Sequence, residues 1–232
     1  MNSRALALIV LTVVVGSGWT GTAGLPEGLV TSKRNQVVAL KYLRSTLMSR
    51  GGAGRIEYST ICAANDGTPL PFPQVEVVPP SAGKSGLAAA REIFKSNKNV
   101  AVAEGGSGII RVRIGEPELA ILKTRIQSLT FKQDERYNPE LAIFAILNAP
   151  EVQDAMRKLR YDQPLTVLGM GITVPEEGVP LPHLPASIKD QTMDQALDTI
   201  AHTFKGIVIY KTCAKNEGTG LVSLEFVQVV DF

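Results

Sequence analysis

The sequence predicts an α+β fold: two small β-α-β-β units, each a helix on an antiparallel or mixed sheet, with a helical segment between them. Three observations carry this. Met193, Ala196, Leu197, Ile200, Ala201 and Phe204 fall on one face of a helix, and strand-like runs follow from Ile207 to Tyr210 and from Leu221 to Val229. Val100 to Glu104 and Ile109 to Ile114 alternate around Gly105-Gly106-Ser107-Gly108, which is a hairpin signal. Leu87, Ala90, Ile93 and Phe94 form an apolar helical stripe just before that hairpin.

At the start of the chain, Met1 to Arg4 is short and ends in a positive charge. Ala5 to Val15 is apolar apart from Thr12, and small residues follow through Gly24. This is the layout of a secretory signal peptide, with cleavage expected near Ala23. The apolar run is too short for a bilayer-spanning helix, which needs roughly 20 residues. Residues 1–23 are therefore read as a signal peptide and the mature chain as periplasmic or secreted. The first cysteine is Cys62, so no lipid anchor is expected on a cysteine at the mature N-terminus.

About 209 residues remain after cleavage, enough for one large domain or two small ones. Hydrophobic residues make up 44% of the chain and charged residues 20%, which permits a sizeable core. The formal net charge is +2, less one when Arg4 leaves, and no block of like charge occurs. That gives no argument for a nucleic-acid partner. No later apolar stretch is long enough to span a membrane.

The elements then follow in order. Val37, Leu40, Leu43 (or Arg44) and Leu47 recur at helical spacing, with Thr31 or Ser32 able to cap the start and Gly51-Gly52 to end it. Arg55 to Ile61 reads as a strand, Asp66-Gly67 as a turn, and Gln74 to Val78 as a short strand among prolines. Ser85 can cap a helix from Gly86 to Ser96. Leu119 to Lys132 holds a possible strand. Asn138-Pro139 opens a third helix, with a cap and a proline at its first position, and Pro150 restarts or kinks it. Gly169 to Pro185 is rich in Gly and Pro, and reads as a linker or a functional loop. Thr192 and Gln195 fit a capping box ahead of the last helix, and Gly206 closes it. The expected division is 24–168, an N-terminal α+β unit with helical extension; 169–186, a linker; and 187–232, a C-terminal β-α-β-β unit.

Cys62 and Cys213 are the only cysteines. Each ends a strand-like run and is followed by a polar loop containing Gly. In an exported chain this points to one disulfide between neighbouring strand ends.

Candidate chemistry is sparse. Gly83-Lys84-Ser85 lacks the first glycine of a phosphate-binding loop, whose place is taken by Val78, and reads as a helix start. Gly105 to Gly108 joins two strands, whereas a serine nucleophile elbow joins strand to helix. His183 and His202 are the only histidines, and nothing in their spacing pairs them with a nucleophile or completes a metal site. No catalytic, cofactor-binding or metal-ligating set is read, and no cofactor is expected. Arg111 and Arg113 share one strand face and could hold a partner's carboxylates; the alternative is a solvated sheet face. Tyr58 and Tyr210 could pair across strands.

Ser187 to Phe226 resembles the secretin and TonB-receptor short N-terminal domain. The residues that carry this are Met193-Asp194-Gln195-Ala196-Leu197-Asp198-Thr199-Ile200-Ala201, then Gly206-Ile207-Val208-Ile209-Tyr210, then Val222-Ser223-Leu224. Gln74 to Ile114 repeats the order as a degenerate second copy, with a third partial copy at Gln36 to Cys62. The resemblance implies contacts with other envelope proteins and brings no catalytic residues. In the family the module precedes a membrane barrel; here none follows before Phe232. The expected function is an exported, non-enzymatic envelope or secreted module that binds a protein through an exposed strand, such as Ile109 to Ile114 or Val222 to Val229. An exported hydrolase with an unrecognised site and a small-ligand carrier are the alternatives.

Overall fold

The computed structural model describes residues 27–48, 52–62, 71–163, 181–214 and 218–229. The expected signal peptide, the Asp66-Gly67 turn and residues 169–180 of the expected linker lie outside them. The fold is mixed α+β.

Its centre is a six-stranded sheet in the order β2 (Val100–Glu104), β3 (Ile110–Ile114), β1 (Gly54–Ile61), β7 (Gly206–Ala214), β8 (Gly220–Gln228), β5 (Tyr161–Asp162). β1 runs parallel to both β3 and β7, while β2–β3 and β7–β8 are antiparallel. A separate antiparallel pair joins β4 (Arg125–Thr130) to β6 (Ser187–Thr192). Strands from both halves of the chain thus share one sheet, with β1 inserted between them.

Side chains alternate across a strand, so each strand feeds two cores. On one face Ile56, Tyr58, Ile110, Val112, Ile207 and Ile209 meet α1 (Glu27–Met48) and α2 (Gly86–Ile93) through Leu43, Leu47, Ala90 and Ile93. On the other, Val208, Tyr210 and Val222 meet α4 (Pro139–Leu147), α5 (Pro150–Lys158) and α6 (Met193–Thr203), together with residues of β4 and β6. A short α3 (Gln133–Tyr137) precedes α4.

Local chemistry accounts for the helices read most directly. Gln195 N donates to Thr192 Oγ1 at 3.2 Å and Thr192 N to Gln195 Oε1 at 2.9 Å, closing the capping box of α6. All six residues of its apolar stripe are buried. Asn138 Oδ1 accepts from Glu140 N and Leu141 N, Pro139 takes the first position of α4, and Pro150 starts α5 afresh.

Other expectations are corrected. α1 begins at Glu27, so Thr31 and Ser32 lie inside it and do not cap it. Its buried stripe runs through Ala39, Leu43 and Leu47, leaving Val37 65% exposed. Gln74 to Val78 is not a strand. Its backbone N–H groups bond the end of α2 and the turn after it: Val78 N donates to Ile93 O, and Glu76 N to Asn97 Oδ1. The flanking prolines offer no N–H for a ladder. Tyr58 and Tyr210 do not pair, because Glu57 stands opposite Tyr210 and Lys211 opposite Tyr58. A register offset of one sends the two rings to opposite faces. Tyr58 meets Phe72 edge-on at 5.3 Å, and Tyr210 donates its hydroxyl to Glu118 O at 2.6 Å. Burial raises the pKa of both phenols.

The left-handed residue after α6 is Lys205 (φ 48°), not Gly206. Gly206 is needed for a different reason: a Cβ there would lie 2.1 Å from Phe226 Cζ. The two neighbours should therefore respond oppositely. Lys205→Gly should raise stability by about 0.5 to 1 kcal/mol by relieving a backbone that side chains disfavour. Gly206→Ala should lower it by about 2 kcal/mol by displacing the Phe226 ring from Phe204. Thermal melts of the two variants check both signs.

The loop before α2 is tied down by Glu92, whose carboxylate accepts from Ser81 N (2.8 Å) and Ser81 Oγ (2.7 Å) and pairs with Lys84. The two hydrogen bonds from Ser81 hold its pKa at about 2. A carboxylate with a depressed pKa stabilises the fold above its unfolded value of about 4.3 and loses that contribution as pH falls. Glu92→Gln should thus be less stable than wild type at pH 6, with the difference vanishing as the pH approaches 2. Urea titrations across that range measure it.

Cys62 and Cys213 form a disulfide with Cα atoms 5.1 Å apart. The parallel pairing of β1 with β7 sets Thr60 opposite Cys213, so the two strand ends meet as the sequence implies.

Candidate functional site

The densest polar grouping lies where α6 crosses the sheet. β1, β3 and β7 pair in register, so Arg111, Arg55 and Val208 form one row across that face, and Arg113, Glu57 and Tyr210 the next. α6 lowers Asp194 and Asp198, one turn apart, onto this surface. Arg55 Nη1 donates to Asp198 Oδ1 at 3.0 Å and to Asp194 O at 3.2 Å, and Arg55 Nη2 reaches Glu57 Oε1 at 3.4 Å. Arg111 grips both aspartates, with Nη1 at 2.8 Å from Asp194 Oδ2 and Nη2 on Asp198 Oδ2. Arg113 donates through Nε and Nη2 to Glu57 Oε2 at 3.1 and 3.0 Å.

Arg55 and Glu57 side chains are 0% and 1% exposed, and three guanidiniums face three carboxylates. Burial raises the Asp198 pKa, and Arg55 and Arg111 only partly offset it. Burial works against the Arg111 charge, but Asp198 and Asp194 outweigh it and its pKa is raised. Gly105 lets the hairpin turn lie over Arg111; a Cβ there would sit 2.6 Å from Arg111 Nε. The network joins α6 to the sheet, and the charges within it are balanced.

Arg111 and Arg113, the residues singled out for partner binding, are thus brought together on one face, where the carboxylates they hold are the chain's own. β3 is not the free strand the sequence implies, because β2 and β1 flank it on both sides. Sequence reasoning missed Arg55, Glu57, Asp194 and Asp198. The signal present was the i, i+4 spacing of the two aspartates beside the apolar stripe.

The remaining candidates stand apart. His183 packs its ring on Tyr137 at 5.4 Å, with Nδ1 3.3 Å from Leu181 O. His202 is exposed on the last turn of α6. Lys84 of Gly83-Lys84-Ser85 pairs with Glu92. Among the described residues no group of three or more His, Cys, Asp or Glu side chains is placed to hold a metal ion. A cleft of about 230 Å³ lies between α5 and β5, lined by Gln153, Met156, Arg157, Tyr161, Asp162 and Gln163 among others. No helix of the described residues is long and apolar enough to cross a membrane.

No family model, curated protein or solved structure matches the chain.

Proposed function

We propose that this chain is an exported, non-enzymatic envelope or secreted module that binds another protein by adding that protein's strand to β8. One observation carries the reading: β8 is bonded along its whole length to β7, but on its other side only Gly220 and Leu221 have a strand partner, in β5, among the described residues. Gly220 N donates outward to Arg160 O, and Val229 N donates inward to Lys205 O. The alternation between them places the amides of Val222, Leu224, Phe226 and Gln228 on the open side. Such an edge takes an extended peptide through main-chain hydrogen bonds.

The resemblance to the short N-terminal domain of secretins and TonB receptors supports a contact role. The order β6–α6–β7–β8 is kept, although β6 pairs with β4 and not with the main sheet. The disulfide fits an oxidising compartment, so the periplasm or the exterior is proposed as its location.

The test compares captures from an envelope extract by the wild-type mature chain and by Leu224→Pro, which removes one outward N–H. A partner band held by the wild type and lost with a folded Leu224→Pro chain is the expected result. A band unchanged by the proline would place the partner elsewhere.

A further inference from the structure

We infer that the opposite edge of the sheet, β2, is a seam along which two copies of this chain pair as an antiparallel dimer. The binding proposed for β8 involves a different protein and the other edge.

Among the described residues β2 has a strand partner, β3, on one side only. Its outward groups follow from the hydrogen bonds at its ends. Gly115 N donates to Asn99 O at 2.9 Å, and Gly105 N donates to Ile109 O at 2.7 Å, both across the hairpin. Alternation then turns Ala101 and Ala103 toward β3, and Val100, Val102 and Glu104 toward the open side. Arg91 Nε agrees with this, donating to Val102 O at 3.3 Å from outside the hairpin. A carbonyl accepts two hydrogen bonds, so Arg91 and an added strand can share it.

Symmetry and charge choose the occupant. An antiparallel second copy centred on Val102 pairs Val102 with itself, Val100 with Glu104 and Ala101 with Ala103. A two-fold interface has this self-complementary form. Val100 and Val102 already flank the core beside α2, and pairing extends that apolar face. On the other face β2 presents only the small, exposed side chains of Ala101 and Ala103. The exposed Lys98, in the turn entering β2, comes beside the exposed Glu104 of the second copy, and the two-fold axis makes this contact twice. A one-residue slip would set Val against Ala and lose these matches.

Sedimentation of the oxidised chain from about 1 to 500 µM tests the inference. A reversible monomer–dimer equilibrium is expected. Val102→Pro, which removes an outward N–H and no bond to β3, should give a monomer with unchanged circular dichroism. Glu104→Lys should weaken dimerisation about tenfold, by turning two attractions into two repulsions, and adding Lys98→Glu should restore it. A monomer at every concentration overturns the inference. So does a dimer indifferent to both the proline and the charge reversal, or one that the charge swap fails to restore. If Val102→Pro does not fold, the charge pair decides alone. None of these outcomes bears on β8, which Leu224→Pro reads separately.

Discussion

Replacing both Cys62 and Cys213 by Ala is expected to lower the unfolding free energy by about 5 kcal/mol. The bridge joins residues 151 apart in sequence, so it removes a large share of the unfolded chain's freedom. The chain-entropy model gives this figure for a loop of that length, and a domain's whole stability is about 5 to 15 kcal/mol. The loss is thus comparable to the total. Alanine is chosen because Cys213 is buried, and a serine hydroxyl there would add a desolvation cost of its own. Guanidinium unfolding of the wild type and the double variant should show a large drop in midpoint. A drop worth less than about 1 kcal/mol would mean that the unfolded chain is already compact without the bridge.

Glu57→Gln should cost about 3 kcal/mol. Arg55 cannot shed its charge and has no exposed surface, so it relies on carboxylates within reach. The variant removes one of these and deprives Arg113 of its partner as well. Arg113→Gln should cost far less, about 0.5 to 1 kcal/mol, because that side chain is 42% exposed and water replaces what it gives. The contrast should survive 1 M salt, whose Debye length of about 3 Å weakens exposed charge pairs but leaves the enclosed ones largely unaffected. Equal losses for the two variants would show that water reaches Arg55 and that the group is not enclosed.

Features set within a few residues of sequence were legible. Thr192 with Gln195, Asn138 with Pro139, and the hairpin at Gly105 to Gly108 each depend on neighbours along the chain. The cysteine pairing was also legible, because each of the two cysteines ends a strand-like run. Strand order was not: the position of β1 between β3 and β7 depends on partners more than fifty residues away. Because that position was hidden, Arg55 and Glu57 stood out only as members of a strand, when a helix from further along the chain covers them. Lys205 was missed because propensity favours glycine for its backbone, while the next residue was glycine for the sake of the Phe226 ring. Gln74 to Val78 alternates like a strand, but the prolines on either side of it offer no donors to extend a ladder.

The middle position of β1 also sets a timetable for the newly made polypeptide. Gly54–Ile61 emerges early, yet one of its two neighbours is synthesised about 150 residues later. The early segment therefore waits, with one edge unpaired, until β7 has been made. Any oxidant that joins Cys62 to Cys213 must act at the end of that wait. A chain released before β7 would leave β1 with one unpaired edge beside β3, an unfinished and adhesive ribbon.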